Sequence, residues 1–122
     1  MTEARLDIAI EDIRSVSGFE AVLLTDLQGE ILSAVRSDDV PPEVLGALLQ
    51  VAEQVVIRAS DANQKLTVPG ESEFFDWNGR RVVCRWFKAR RPGVVVALVP
   101  KGKAYRWAMG RLVKEIQRLI GV

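Results

Sequence analysis

The segment PEVLGALLQVAEQVVIRA, Pro42 to Ala59, constrains the chain most, because as a helix it has more apolar surface than one sheet needs. At roughly 100° per residue, a sector about 160° wide holds Val44, Leu45, Leu48, Leu49, Val51, Ala52, Val55, Val56 and Ala59, and no polar residue. A helix on the surface of a monomer needs a stripe of roughly 100°. The surplus asks for a second cover, either a loop of the same chain such as residues 60–72 or another copy of it.

The remaining elements follow from periodicity and from the residues that break it. Thr2 to Val16 is a helix with Thr2 as N-cap, Leu6, Ala9, Ile10, Ile13 and Val16 on one face, and Asp7, Glu11 and Asp12 off it. Gly18 stops that helix. Phe19–Thr25 is a strand, Asp26–Gly29 a turn begun by aspartate and closed by glycine, and Glu30–Arg36 the returning strand. Ser37–Pro42 leads into the long helix, and Ser60–Lys65 is a polar loop. Ser72–Trp77 and Arg80–Lys88 flank the hairpin signal Asn78-Gly79. Ala89–Gly93 turns into the strand Val94–Val99, and Ala104–Ile120 is the last helix, after Pro100 and Gly102.

VVVALV and most of FEAVLLT are continuously apolar, as strands covered on both faces are, whereas EILSAVR and SEFFDW mix polar and apolar positions as strands nearer an edge do. The expectation is an α+β fold with topology αββαβββα. Its sheet is five-stranded and antiparallel, in order 2-1-5-4-3, with helices on both faces. A length of 122 residues suits a single domain, 1–122.

Charge is divided unevenly. Residues 1–78 carry five Lys/Arg against fifteen Asp/Glu, and residues 79–122 carry twelve against one. Such asymmetry marks a basic binding tail or two halves that neutralise each other by packing. The first and last helices should share a sheet face, which favours neutralisation over nucleic-acid binding. The acidic, amphipathic N-terminus is not that of a signal peptide, no apolar run reaches the roughly 20 residues of a membrane span, and one cysteine fits a reducing interior. The expected location is cytoplasmic.

Little chemistry is available. With no histidine, neither a Ser–His nor a Cys–His pair can be built, and one cysteine makes a poor start for a zinc site. Pro100–Ala104 lacks the upstream glycine and the hydroxyl residue of a phosphate loop. Cys84, beside Val83 and Trp86, reads as a buried structural thiol. Asp38-Asp39 reads as a solvated loop. No catalytic residue, cofactor site or metal site is expected. The last helix offers more, since Trp107, Arg111, Lys114 and Arg118 lie opposite its apolar face. Trp and Arg are enriched at binding hot spots, although a tryptophan can also simply rest against its arginine neighbours.

The ordered set of elements resembles the roadblock/dynein light chain family. The resemblance covers the whole chain and is carried chiefly by SVSGFEAVLLTDLQGEILSA, Ser15 to Ala34: a helix-ending glycine, an apolar strand, the Asp26 to Gly29 turn and a second apolar strand. The long helix after a proline-containing loop and the closing strand–strand–helix unit also fit. The Trp-rich hairpin is less typical. The resemblance implies a profilin-like or longin-like domain that dimerises through its second helix and third strand. It also implies a non-catalytic role as regulator or scaffold of a Ras-like small GTPase. On that reading the subunit contact is Val44, Leu48, Val51 and Val55, with Phe74 and Phe75 on an edge strand that would aggregate if left unpaired. Arg90 and Arg91, on a turn, are candidate contributors to GTP hydrolysis by the partner. The rival reading is a small-molecule sensor of the PAS/GAF type, for which Gly46, Ala47 and Ala52 would leave a hollow between helix and sheet.

Overall fold

A computed structural model describes the backbone of residues 2–61, 71–75 and 79–120 and the side chains of residues 5–57 and 79–120. Eight elements follow one another: α1 (Thr2–Ser17), β1 (Ala21–Asp26), β2 (Ile31–Arg36), α2 (Glu43–Asp61), β3 (Glu71–Phe75), β4 (Arg81–Phe87), β5 (Gly93–Val99) and α3 (Arg106–Ile120). All strand pairs are antiparallel, and the backbone ladder runs β2-β1-β5-β4-β3.

The two apolar strands, β1 and β5, form the centre of the sheet, with Leu23 opposite Val96 and Leu24 opposite Val95. Alternation along each strand sends side chains to two separate cores. Val22, Leu24, Val95, Ala97 and Val99 meet Leu6, Ile10 and Ile13 of α1 and Met109, Leu112 and Ile116 of α3. Ala21, Leu23, Val94, Val96 and Leu98 meet Leu48, Ala52 and Val55 of α2. Strands buried on both faces are largely apolar, as Ala21–Leu24 and Gly93–Val99 are; Thr25 and Asp26, at the end of β1, are buried polar residues.

The expectation of a five-stranded sheet needs correction. Four strands, β2-β1-β5-β4, make up the sheet whose two faces are described, which is order 2-1-4-3 when those four are numbered among themselves. β3 adds to β4 by backbone register alone, from Glu71 opposite Arg85 to Phe75 opposite Arg81, and its side chains lie outside the described residues. Helix coverage gives the reason. Among the described contacts, α2 rests on β1 and β5 and touches β2, α1 covers β2 and α3 reaches β4, so the described side-chain layers span β2 to β4. The α+β class, with helices on both faces, stands.

Smaller differences concern boundaries. α2 runs past Ala59 to Asp61, and its first turn is closed by Val44 N donating to Pro41 O and Leu45 N to Pro42 O, both at 3.1 Å. Thr2 is already helical, and its capping side chain lies outside the described residues, as do Trp77 and the Asn78 half of the expected hairpin turn. Val16, read as part of the inner face of α1, is exposed because its position lies about a quarter turn from the line through Leu6, Ile10 and Ile13. Gly18 and Gly29 have φ of 75° and 85°, values that let the chain leave α1 and close the β1–β2 turn without a Cβ clash.

One glycine is required by proximity and not by φ. A Cβ on Gly93 would stand 1.9 Å from Thr25 O and 2.8 Å from Cζ of Phe87, so β5 can approach β1 here only without a side chain. Gly93→Ala is expected to cost more than about 3 kcal/mol, read as a lower urea midpoint with unchanged slope. Gly46, on the outer face of α2, gives the opposite sign, because a methyl added there would meet nothing within 4 Å. Gly46→Ala should raise stability by about 0.5–1 kcal/mol in the same assay.

Candidate partner-binding surfaces

The apolar sector of α2 is divided by its sheet. Leu48 and Val55 are only 2% and 8% exposed and pack on β1 and β5 within one chain, whereas Val44 and Val51 are half-buried at the margin of that contact. Of the six residues expected at a subunit contact, Leu48 and Val55 therefore lie beneath the surface, Val44 and Val51 reach it, and the side chains of Phe74 and Phe75 lie outside the described residues. Val56 and Ile57 line a hollow of about 300 Å³ with the Thr25–Gly29 turn. On the helical wheel the flank turned away from that hollow carries Val44, Ala47, Val51 and Gln54. Ala47 and Gln54 are exposed there, so over residues 44–54 this flank is small and uncharged. Sequence reasoning placed Ala47 over a possible internal hollow. Instead, Gly46 and Ala47 point outward, and Ala52 packs tightly in the core. The open space beside α2 is the hollow of about 300 Å³, which Ala52 also lines.

On α3, Trp107 is 74% exposed, with the Arg111 guanidinium 5.6 Å from its ring centroid. Arg118 makes a two-pronged contact with Glu115, at 2.8 and 2.9 Å, and Lys114 is exposed beside them. The structure thus brings the four expected α3 residues onto one outer face. It shows the tryptophan stacked by its arginine neighbour, a contact worth about 0.5–1 kcal/mol at an exposed site. Arg111 and Arg118 also share a groove with Asp12 of α1, so acidic and basic helices meet as the charge division suggests.

Arg90 and Arg91 separate. Arg90 is exposed on the β4–β5 turn. Arg91 is held: its Nε and Nη2 donate to Oδ2 of Asp26 at 3.0 and 2.7 Å, and Nη2 also contacts Glu30. Asp26 is almost fully buried and accepts, through Oδ1, the N–H groups of Gln28 and Glu30 at 2.9 Å each. Burial pushes this carboxyl up, but the bonds from Glu30, Arg91 and Gln28 outweigh it and hold it below the ordinary aspartate range. Arg91 accordingly ties the β4–β5 turn to the β1–β2 turn. Sequence reasoning saw Asp26 only as a turn starter; the separation of 65 residues gave no local signal of its partner.

Among the described residues no group of three acidic or sulfur side chains is placed to hold a metal, and no helix is long and apolar enough to cross a membrane. Cys84 is buried, and burial pushes its thiol up to about 12, the behaviour of a structural cysteine.

No protein-family model and no curated protein sequence matches the chain. Solved structures do. MglB with a tetrameric arrangement superposes with a TM-score of 0.73 at 15% identity, over 98% of this chain and 90% of that one. The gliding protein MglB from Thermus thermophilus gives 0.69 at 13%, over 98% and 90%. Myxococcus xanthus MglB gives 0.69 at 10%, over 96% and 88%. The chain therefore has the roadblock/longin-like fold of these proteins.

The Asp26 cluster sets a pH signature. Because its carboxyl titrates below its unfolded value of 3.8, its contribution is complete above that pH and is lost as pH falls through the folded value. Asp26→Asn should lower stability at neutral pH by about 2 kcal/mol and make the loss below pH 4 shallower than in the parent, measured by urea unfolding across that range.

Proposed function

We propose that the chain is a non-catalytic regulator or scaffold of a Ras-like small GTPase, acting as a cytoplasmic homodimer. The observation that carries this reading is the small, mostly uncharged flank of α2 on a fold shared with MglB. The family resemblance of the sequence points the same way, since roadblock proteins bind small GTPases as dimers. In the proposed dimer, Val44, Ala47 and Val51 of one copy lie against the same residues of the other about a two-fold axis. Leu48 and Val55 support them from below, and Phe74 and Phe75 of the two β3 strands close the contact at the sheet edge. An α2 pair of this kind buries apolar area that one copy leaves half-covered.

The contact with the GTPase is assigned to the exposed outer groups, Arg90 on its turn and Trp107, Arg111, Lys114 and Arg118 on α3. Trp107 is the anchor on this assignment, being large, exposed and already stiffened by Arg111. Arg91 is a positioning residue: bound to Asp26 and Glu30, it fixes the turn that presents Arg90.

Two measurements test the reading. Sedimentation at tens of micromolar should give a dimer for the parent and a monomer for Ala47→Arg, which adds a charge on an exposed position and should leave folding stability within about 0.5 kcal/mol. GTP hydrolysis by the Ras-like GTPases of the same genome should change on adding the parent chain, or the GTPase should bind it without a rate change. Neither binding nor a rate change with any of them, together with a monomeric parent, would remove the assignment.

A further inference from the structure

Opposite the β3 side, the sheet ends at β2, and we propose that this edge takes an extended, basic segment of a partner protein as an added strand. This inference is independent of the GTPase reading. Ser37 N donates to Glu20 O at 2.8 Å, continuing the register in which Val22 faces Val35 and Leu24 faces Ser33. In that alternation Ser33 and Val35 turn their N–H and C=O toward β1, and Ala34 and Arg36 turn theirs outward. Among the described residues no backbone group meets them. Edge strands are commonly protected by charge or proline, yet the central residues Leu32, Ser33, Ala34 and Val35 contain neither.

The chemistry of the occupant follows from what borders the edge. α1 overhangs it, and the groove between them is lined by Asp7, Glu11 and Asp12 together with Ile8, Ala34 and Val35, with no cation in the lining. Glu11 is shared with Arg14 at 2.7 Å, and Asp7 accepts from Ser33 Oγ at 2.6 Å. Asp7 and Asp12 are exposed, and Ile8, at 71% exposure, adds an apolar contact. An added strand places alternate side chains toward α1, so a segment with Lys or Arg at every second position meets Asp7 and Asp12, Glu11 being paired with Arg14, while its backbone completes the ladder. A second copy of β2 is a poor occupant. Two-fold pairing of the edges would set the α1 carboxylates of both copies on the same sheet face, where like charges repel.

The probe is a short synthetic peptide alternating Lys with Val or Thr, added to the full chain at low salt, with a Glu-for-Lys peptide as the reversal. Amide hydrogen exchange at Ala34 and Arg36 should slow at least about tenfold with the Lys peptide only, and the effect should fade as salt rises. Ala34→Pro deletes one outward donor without touching the β1 ladder and should abolish the effect. Asp12→Lys, at a solvent-accessible position, should weaken binding about tenfold and provides the test if Ala34→Pro fails to fold. Equal binding of both peptides, protection confined to α2, or affinity indifferent to Asp12→Lys would each overturn the proposal. So would a parent chain whose assembly is dispersed by Ala34→Pro, since β2 would then be occupied by its own copy.

Discussion

The pairing of β1 with β5 is the contact on which the rest of the structure depends. Every residue of both strands is buried, and each strand contributes side chains to two cores at once. Hydrogen bonding between them leaves no polar backbone exposed to these dry layers, so apolar residues can occupy both faces. The helices take their places from this pair: α1 and α3 side by side on one face, α2 alone on the other. The lone helix cannot hide its whole apolar sector against two strands, and the half-covered flank follows from that asymmetry.

Charge distribution acts at the next level. Cross-links between the acidic first part and the basic second part recur: Arg80 with Glu20 at 3.5 Å and Arg91 with Asp26. Exposed pairs of this sort contribute little each, and Arg80–Glu20 is long. Arg91–Asp26 differs because its carboxylate is buried and receives four hydrogen bonds. It fastens the turns at one end of the central strand pair, beside the close approach of Gly93 to Thr25.

Much of this is legible in the sequence. Continuous apolar runs mark the two doubly covered strands, because only such strands lack a polar alternation. Glycine marks the ends of α1 and of the first hairpin, where φ is positive. What periodicity cannot do is separate Leu48 and Val55 from Val44 and Val51. All four lie in one sector and are chemically alike, and only the width of the sheet beneath decides which are covered. The same limit misplaces Val16, and it hides Ile8, whose exposure depends on where α3 lies. The tie of Arg91 to Asp26 is hidden from the sequence for another reason. The partner is remote in sequence, and an arginine on a turn looks unengaged until the facing turn is in place.

The order of strands has a consequence for biosynthesis. β1 emerges early from the ribosome, but the strand that fills its inner edge is the last of the sheet to be made. Until Gly93–Val99 appears, a largely apolar strand waits with one side unmated, and long-range closure of this kind is slow. The centre of the sheet therefore cannot close until its last strand has been translated, and before that β1 can pair with β2 alone.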